Sequence, residues 1–291
     1  MFAPAKINLY LHVLGRVTNG YHALDSLITF FDIGDTITIK QNTPYGFTIS
    51  GDFATSFPAP DLDHSPNSSN LIIKAAWKMA EIAQQKIDFS IHLQKDLPLG
   101  AGIGGGSSDA AAIIHILCKH WDVPTNHPTI KELLKSLGDD VPVCFAKHTA
   151  RLTGLGVDFK PAPTIPKMPV ALVHPGIACL TGHIFQTLNL QPGDHLTDPI
   201  PIPTSFPTQD ALLTFLNTTD NTLYPAARKL VPAIENVILS LNAQTGCQLA
   251  RMSGSGSCCF GIFKTAKDAH NAAVTLRKQN PDWWVRDGFL G

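Results

Sequence analysis

Between Pro98 and Ala112 the chain reads Pro-Leu-Gly-Ala-Gly-Ile-Gly-Gly-Gly-Ser-Ser-Asp-Ala-Ala-Ala. Five glycines in seven residues let a backbone curl until its N–H groups converge on one point. The alanine-rich run that follows reads as a helix, expected over Ser108–His120. A glycine turn feeding a helix N-terminus attracts anions, because both the unpaired amides and the helix dipole favour negative charge there. The chemistry to expect is phosphate binding. Gly100, Gly102 and Gly105 satisfy G-x-G-x-x-G, but a dinucleotide fold needs an acidic strand end about 20 residues on. Asp122 stands near that distance, in a stretch that reads as a helix end. A Walker loop needs a lysine where Gly106 stands, and the protein-kinase motifs V-A-I-K, H-R-D and D-F-G are missing from the sequence.

Other polar residues have spacing that suits chemistry. Lys6 and Asn8 fall on one face of a strand in which Ile7, Leu9, Leu11 and Val13 alternate with polar residues. Period two places them about 7 Å apart along the strand. Asp139 and Asp140 follow an expected helix, Thr129–Leu137, that Gly138 ends. A second glycine turn, Ser253-Gly254-Ser255-Gly256-Ser257, lies between the expected strands Cys247–Met252 and Cys258–Phe263.

The elements that must position these groups come from a chain of 291 residues with 44% hydrophobic and 15% charged residues, an ordinary globular balance. A net charge of −1 gives no global field for nucleic acid. No apolar run approaches the ~18 residues of a membrane span, so neither nucleic acid nor membrane is an expected partner. The six cysteines show no C-x-x-C spacing; zinc and disulfides are not expected, and a reducing cytoplasm is. Strands are expected at Ser26–Phe31, Thr36–Lys40, Phe47–Ser50, Ile87–Leu93 and Val170–His174, with a last one near Trp284–Arg286. Helices are expected from about Asn70 to Ala83, and over Gln209–Leu216, Pro232–Leu241 and Lys267–Lys278. Strands and helices mix without regular alternation, which argues an α+β class. Four prolines in 161–169 suggest a boundary between residues 1–160 and 161–291. Residues 192–207 form a proline-rich excursion, and monomer and homodimer both remain open.

Pro98–Ala112 resembles the signature loop of the small-molecule kinase superfamily that includes galactokinase, homoserine kinase, mevalonate kinase and phosphomevalonate kinase. Ala3-Pro4-Ala5-Lys6-Ile7-Asn8-Leu9, Asn19-Gly20-Tyr21-His22 and Gly138-Asp139-Asp140-Val141-Pro142 look like motifs of the 4-diphosphocytidyl-2-C-methyl-D-erythritol kinases within it. Arg251-Met252-Ser253-Gly254-Ser255-Gly256 resembles the third superfamily motif. The resemblance spans nearly the whole chain, in the expected order.

The resemblance implies a two-lobed fold, with an N-terminal ATP-binding lobe and a smaller C-terminal α/β-sandwich lobe, and a kinase using ATP and Mg²⁺ on a cytidine diphosphate substrate. It assigns Asp140 as the group that accepts the hydroxyl proton, with Lys6 between this carboxylate and the transferring phosphate. Asn8 and Thr181 would contact the substrate's polar groups, and Tyr21, His22 and Phe185 its cytosine. Asn70, Leu71 and Lys95 would line the adenine and ribose pocket. The phosphates would rest on Gly102, Gly104, Gly105, Gly106, Ser107 and Ser108, with Pro98 and Gly100 also binding ATP and with Ser107 or Ser108 near the metal. Gly254, Ser255 and Gly256 would close that site from the other lobe. The family usually has a small residue where Asp139 stands, and an extra carboxylate there is expected to raise the base's pKa unless it points away. The family's glutamate just after the second glycine is missing from Gly154-Leu155-Gly156-Val157-Asp158, which leaves no other obvious acidic metal ligand.

Overall fold

The computed structural model describes residues 1–154 and 159–291. The chain opens with strands β1 (Phe2–Arg16), β2 (His22–Gln41) and β3 (Gly46–Ser50), then α1 (Leu71–Ala83), β4 (Phe89–Gln94) and α2 (Gly105–His120). Next come α3 (Pro128–Leu137), α4 (Val141–Ala146), β5 (Ala150–Gly154), β6 (Phe159–Pro161), β7 (Met168–His174) and α5 (Thr181–Thr187). The rest is α6 (Gln209–Leu216), α7 (Tyr224–Leu230), α8 (Ala233–Asn242), β8 (Cys247–Met252), β9 (Cys259–Phe263), α9 (Ala266–Gln279) and β10 (Trp284–Leu290). Mixed helix and sheet agrees with the α+β class.

Two compact units divide the chain, and both draw on the strands β1 and β2. The first holds Met1–Ala5, Gly34–Leu99 and Gly104–Lys147. In it the last part of β2 pairs antiparallel with β4, and β3 pairs parallel with β4. Helix α1 is capped by Asn70, whose Oδ1 accepts from Ile72 N at 2.9 Å. It buries Ile72, Ile73, Ala76, Met79 and Ala80, the three-to-four spacing of one helix face, and packs on α2. Helix α3 buries Ile130, Leu133, Leu134 and Leu137 by the same rule and contacts α4.

The second unit holds Lys6–Ile33, Gly100–Ile103 and His148–Gly291. Its antiparallel sheet runs in the order β10-β7-β9-β8. Helix α9 packs on β7, β9 and β10, while α8 packs on β8 and β9. Between them lies an apolar core that includes Val13, Val173, Ile184, Ile234, Leu241, Phe263, Leu276 and Val285.

Three differences from the sequence expectations have physical causes. Strands expected at Ser26–Phe31 and Thr36–Lys40 are one strand, β2. The polar stretch between them finds partners in place: Asp32 accepts from Phe289 N, and Asp35 from Asp96 N and Leu97 N. Gly34 lies where a Cβ would be 2.1 Å from Ala3 O, so β1 and β2 approach too closely there for any side chain. Helix α2 begins at Gly105, three residues before the expected Ser108, because glycine's poor helix propensity hid its first turn. After Asp140 the chain forms a short helix that the sequence reading did not name, α4, with Asp140 at its N-cap position and Pro142 in its first turn. Residues 155–158, where the missing glutamate was noted, lie outside the described residues. All six cysteines are free thiols. Among the described residues no helix is long and apolar enough to cross a membrane.

Candidate active site

The glycine loop is a helix N-terminus preceded by a turn that only glycine accommodates. Gly104, at φ +65°, is the left-handed N-cap of α2, and the first helical bond closes from Ser108 N to Gly104 O at 2.8 Å. Helix geometry therefore leaves the N–H groups of Gly105, Gly106 and Ser107 without intrahelical acceptors. Gly106 is exposed, and a Cβ placed on it would meet nothing within 4 Å. This is the open face of the loop.

The earlier half of the loop is packed within the second unit. Gly102, at φ +73°, lies against the second glycine turn, where a Cβ would fall 2.6 Å from Gly256 O and 2.8 Å from Ser253 O. A Cβ on Gly254 would fall 2.7 Å from Gly102 O. A backbone bond from Cys258 N to Ala101 O (3.0 Å) fixes the same contact, and Cys179 N, from the segment before α5, donates to Gly100 O (3.0 Å). The two glycine turns read from sequence thus meet directly, Gly100–Ile103 against Ser253–Ser257.

Residues that sequence reasoning missed hold the second turn. Asn221 Nδ2 donates to both Met252 O (2.9 Å) and Gly254 O (2.8 Å). The Arg251 guanidinium is buried among the carbonyls of Leu9, Leu216 and Thr219. Arg251 was visible as part of a motif; nothing in the local sequence marks Asn221, which reaches the turn from 33 residues away.

Lys6 and Asn8 share a face of β1, as the alternation predicts. Both are buried, and Lys6 Nζ donates to Asn8 Oδ1 at 3.1 Å. Asn8 Nδ2 donates to Ser26 Oγ (2.8 Å), and Asn8 N to Ser253 Oγ (3.1 Å). Asn8 thereby ties the strand to the glycine turn, with Ser26 as a further missed partner. Lys6 N itself donates to Ile103 O at 2.8 Å.

Helix α5 brings three more expected residues into play. Thr181 Oγ1 lies 2.8 Å from Ser255 Oγ on the second glycine turn. One turn later, the Phe185 ring lies 4.8 Å from that of His22, tilted by 36°. His22 Nε2 is buried with no hydrogen-bond partner, a donor or acceptor held for something else. Burial first, and the Arg16 charge second, lower its pKa from 6.5, so the ring is neutral at physiological pH. Tyr21 beside it is 61% exposed, an aromatic face open to a ligand.

In the first unit Asp140 precedes α4. The Asp139 carboxyl beside it is raised, through partial desolvation first and the like charge of Asp140 second. Ser108 is fully buried and donates to Pro4 O at 2.6 Å, whereas Ser107 on the same turn is half-exposed. Asn70 is committed to its cap and, through Nδ2, to Asp61 O at 3.1 Å. Leu71, next to it, opens α1. Pro98 is buried at the start of the loop. Lys95 is buried with its ammonium between Asp35 and Asp109.

Comparison with known proteins gives the family. The GHMP kinase N-terminal domain matches residues 70–148 and the GHMP kinase C-terminal domain matches residues 209–282. The 4-diphosphocytidyl-2-C-methyl-D-erythritol kinase of Dinoroseobacter shibae is 39% identical over 99% of this chain and 94% of its own. That of Paracoccus denitrificans is 40% identical over 97% of this chain and 93% of its own. A crystal structure of 4-(cytidine 5'-diphospho)-2C-methyl-D-erythritol kinase superposes with a TM-score of 0.78 at 30% identity, over 100% of this chain and 98% of that one. Mevalonate kinase of Methanococcus jannaschii shares the fold, with a TM-score of 0.67 at 11% identity over 99% of this chain and 96% of that one. This chain belongs to the 4-diphosphocytidyl-2-C-methyl-D-erythritol kinase family of the GHMP kinases.

Proposed function

We propose that this chain transfers the γ-phosphoryl group of ATP to the 2-hydroxyl of 4-diphosphocytidyl-2-C-methyl-D-erythritol, a step of the non-mevalonate route to isoprenoid precursors. Helix α5 carries this reading for a chain of this family: Thr181 bonds the second glycine turn, and Phe185 lies beside a His22 with an unpartnered Nε2. A neutral imidazole can meet the polar edge of cytosine while Phe185 and the exposed Tyr21 cover its faces. That combination fits a nucleobase and has no use for mevalonate, homoserine or galactose.

The hydroxyl oxygen attacks the γ-phosphorus, the bond to the β-phosphate oxygen breaks, and ADP leaves. Asp140 takes the hydroxyl proton. Lys6 supplies positive charge beside the transferring group. Positioning and electrostatics carry most of the rate. Asn8 and Thr181 orient the acceptor. The amides of Gly105, Gly106 and Ser107 hold phosphate oxygens at the start of α2, with Gly100, Gly102, Gly104 and the 254–256 turn shaping the loop. Asn70 and Leu71 border the nucleoside. In this division residues 1–160 serve ATP and catalysis, while residues 161–291 supply Thr181, Phe185 and the second turn.

The residues suit Mg²⁺ sparingly. Ser107 offers a half-exposed hydroxyl, Ser108 Oγ is engaged by Pro4, and among the described residues no group of three or more His, Cys, Asp or Glu is placed to hold a metal. One hydroxyl with phosphate oxygens and water matches the way Mg²⁺ binds at nucleotide sites. Bound there, Mg²⁺ would neutralise charge on the phosphates.

ADP release from ATP–Mg²⁺ with the cytidine substrate, beside mevalonate, homoserine and galactose, tests the reading. Activity is expected with the first alone, falling by about 10²–10⁴ in Asp140→Asn with ATP binding retained. Turnover of one of the others would keep a GHMP kinase but remove the cytosine role of Tyr21, His22 and Phe185.

A further inference from the structure

Lys95 was expected beside adenine and ribose, but its ammonium is occupied elsewhere. The residue is 1% exposed, with Nζ 2.5 Å from Asp35 Oδ2 and 2.8 Å from Asp109 Oδ2. Asp35 does a second job: its Oδ1 accepts from Asp96 N (2.7 Å) and Leu97 N (2.8 Å), the two residues before Pro98. Asp109 stands on α2, on the far side of the glycine loop. One ammonium therefore ties the chain before the loop to the helix after it. Gly105 closes over this group, since a Cβ there would lie 3.1 Å from Lys95 Nζ and 3.7 Å from Asp35 Oδ2.

We propose that Lys95, Asp35 and Asp109 form a buried clamp that fixes the two ends of the phosphate loop, with Lys95 a positioning residue that does not touch the nucleotide. The proposal rests on the loop holding the phosphates of ATP. A glycine-rich segment has many conformations to lose, and its amides converge only if its ends are held. Holding them before ATP arrives removes that ordering cost from binding. The charges also fit an internal role. Two carboxylates face one ammonium, Asp109 Oδ1 is buried without a hydrogen-bond partner, and burial, reinforced by Asp35 and opposed by Lys95, lifts the Asp109 carboxyl to about 7. With two carboxylates against its ammonium, Lys95 has no surplus charge for a ligand.

Calorimetric titration of ATP and of adenosine into the full chain and its variants tests the clamp. Lys95→Met strands two buried carboxylates and can fail to fold. Asp109→Ala cuts the tie to α2 yet leaves Lys95 paired one-to-one with Asp35, so it is the decisive variant. ATP affinity is expected to fall about tenfold or more with adenosine affinity within about twofold of wild type, and Asp109→Asn, which keeps an acceptor for Lys95, is expected to restore ATP binding. Unchanged ATP affinity in Asp109→Ala, or equal loss of ATP and adenosine, would overturn the proposal; equal loss would return the cluster to the nucleoside pocket. Wild-type protein that binds ATP no better than adenosine would sink the phosphate-loop reading itself, and the clamp with it.

Discussion

Two halves of one glycine loop use the same amino acid for opposite reasons. From Gly100 to Ile103 the loop is filled by protein, because the backbone of Ser253–Gly256 occupies the space where a Gly102 side chain would go. From Gly104 to Ser107 it is the first turn of a helix, and beside Gly106 there is open space. In the first half glycine is required by the fold. At Gly106 the fold does not require it, so the reason for that glycine has to be sought in what binds there.

The largest expected effect falls on the filled half. Gly102→Ala combines a φ of +73° with a Cβ 2.6 Å from a carbonyl oxygen that cannot swing away. The expected loss is more than about 4 kcal/mol of stability, read as a collapsed or absent thermal transition. A variant melting within a few degrees of wild type would mean that the two glycine turns are not packed as described.

The open half should respond in the reverse way. Gly106 is already helical and a methyl group there meets no protein atom. Gly106→Ala is expected to leave stability unchanged or raise it by about 0.5–1 kcal/mol. ATP affinity should nonetheless fall by about tenfold or more, since a methyl stands where phosphate oxygens approach the amides. Equal affinity in this variant would remove the phosphates from this turn.

The same reasoning reaches α5. Phe185→Ala is expected to raise KM for the cytidine substrate by the ~1–3 kcal/mol of a base–aromatic contact, with KM for ATP unchanged. His22 adds a pH signature. Its folded pKa lies below 6.5, so the neutral ring persists as pH falls past the point where a free histidine protonates. KM for the cytidine substrate should be flat above pH 6.5 and rise only below it; a rise beginning on the alkaline side of 6.5 would contradict a desolvated neutral His22.

How much of this was legible depended on whether the signal was local. Alternation put Lys6 and Asn8 on one face, borne out in the hydrogen bond to Asn8 Oδ1. The bounds of α6 and β8 matched residue for residue, because each has a clear apolar pattern between polar or glycine-bearing neighbours. Failures came where tertiary partners override local chemistry. Asp32, Gly34 and Asp35 look like a turn and form the middle of a 20-residue strand, since other segments satisfy their polar groups. The carboxylates that pair with Lys95 could not be read locally either, since they stand 60 and 14 residues away. Short α7, beginning at Tyr224-Pro225, carries too little periodicity to stand out.

The adjacent serines give the finest division of the loop, with the smallest effects. They have identical side chains, yet Ser108 turns inward to Pro4 O and is fully buried, while Ser107 is half-exposed at the start of the helix. Ser108→Ala strands a buried carbonyl and is expected to cost about 1–3 kcal/mol of stability, with kcat little changed in the protein that remains folded. Ser107→Ala removes a hydroxyl from the phosphate side; it should leave the thermal transition unmoved and lower kcat by roughly tenfold, the effect of a lost charge-stabilising ligand of modest strength. The two phenotypes must separate. If Ser107→Ala loses stability and Ser108→Ala loses rate, the inward and outward faces of the turn have been assigned the wrong way round, and Ser108 becomes the hydroxyl nearest the metal.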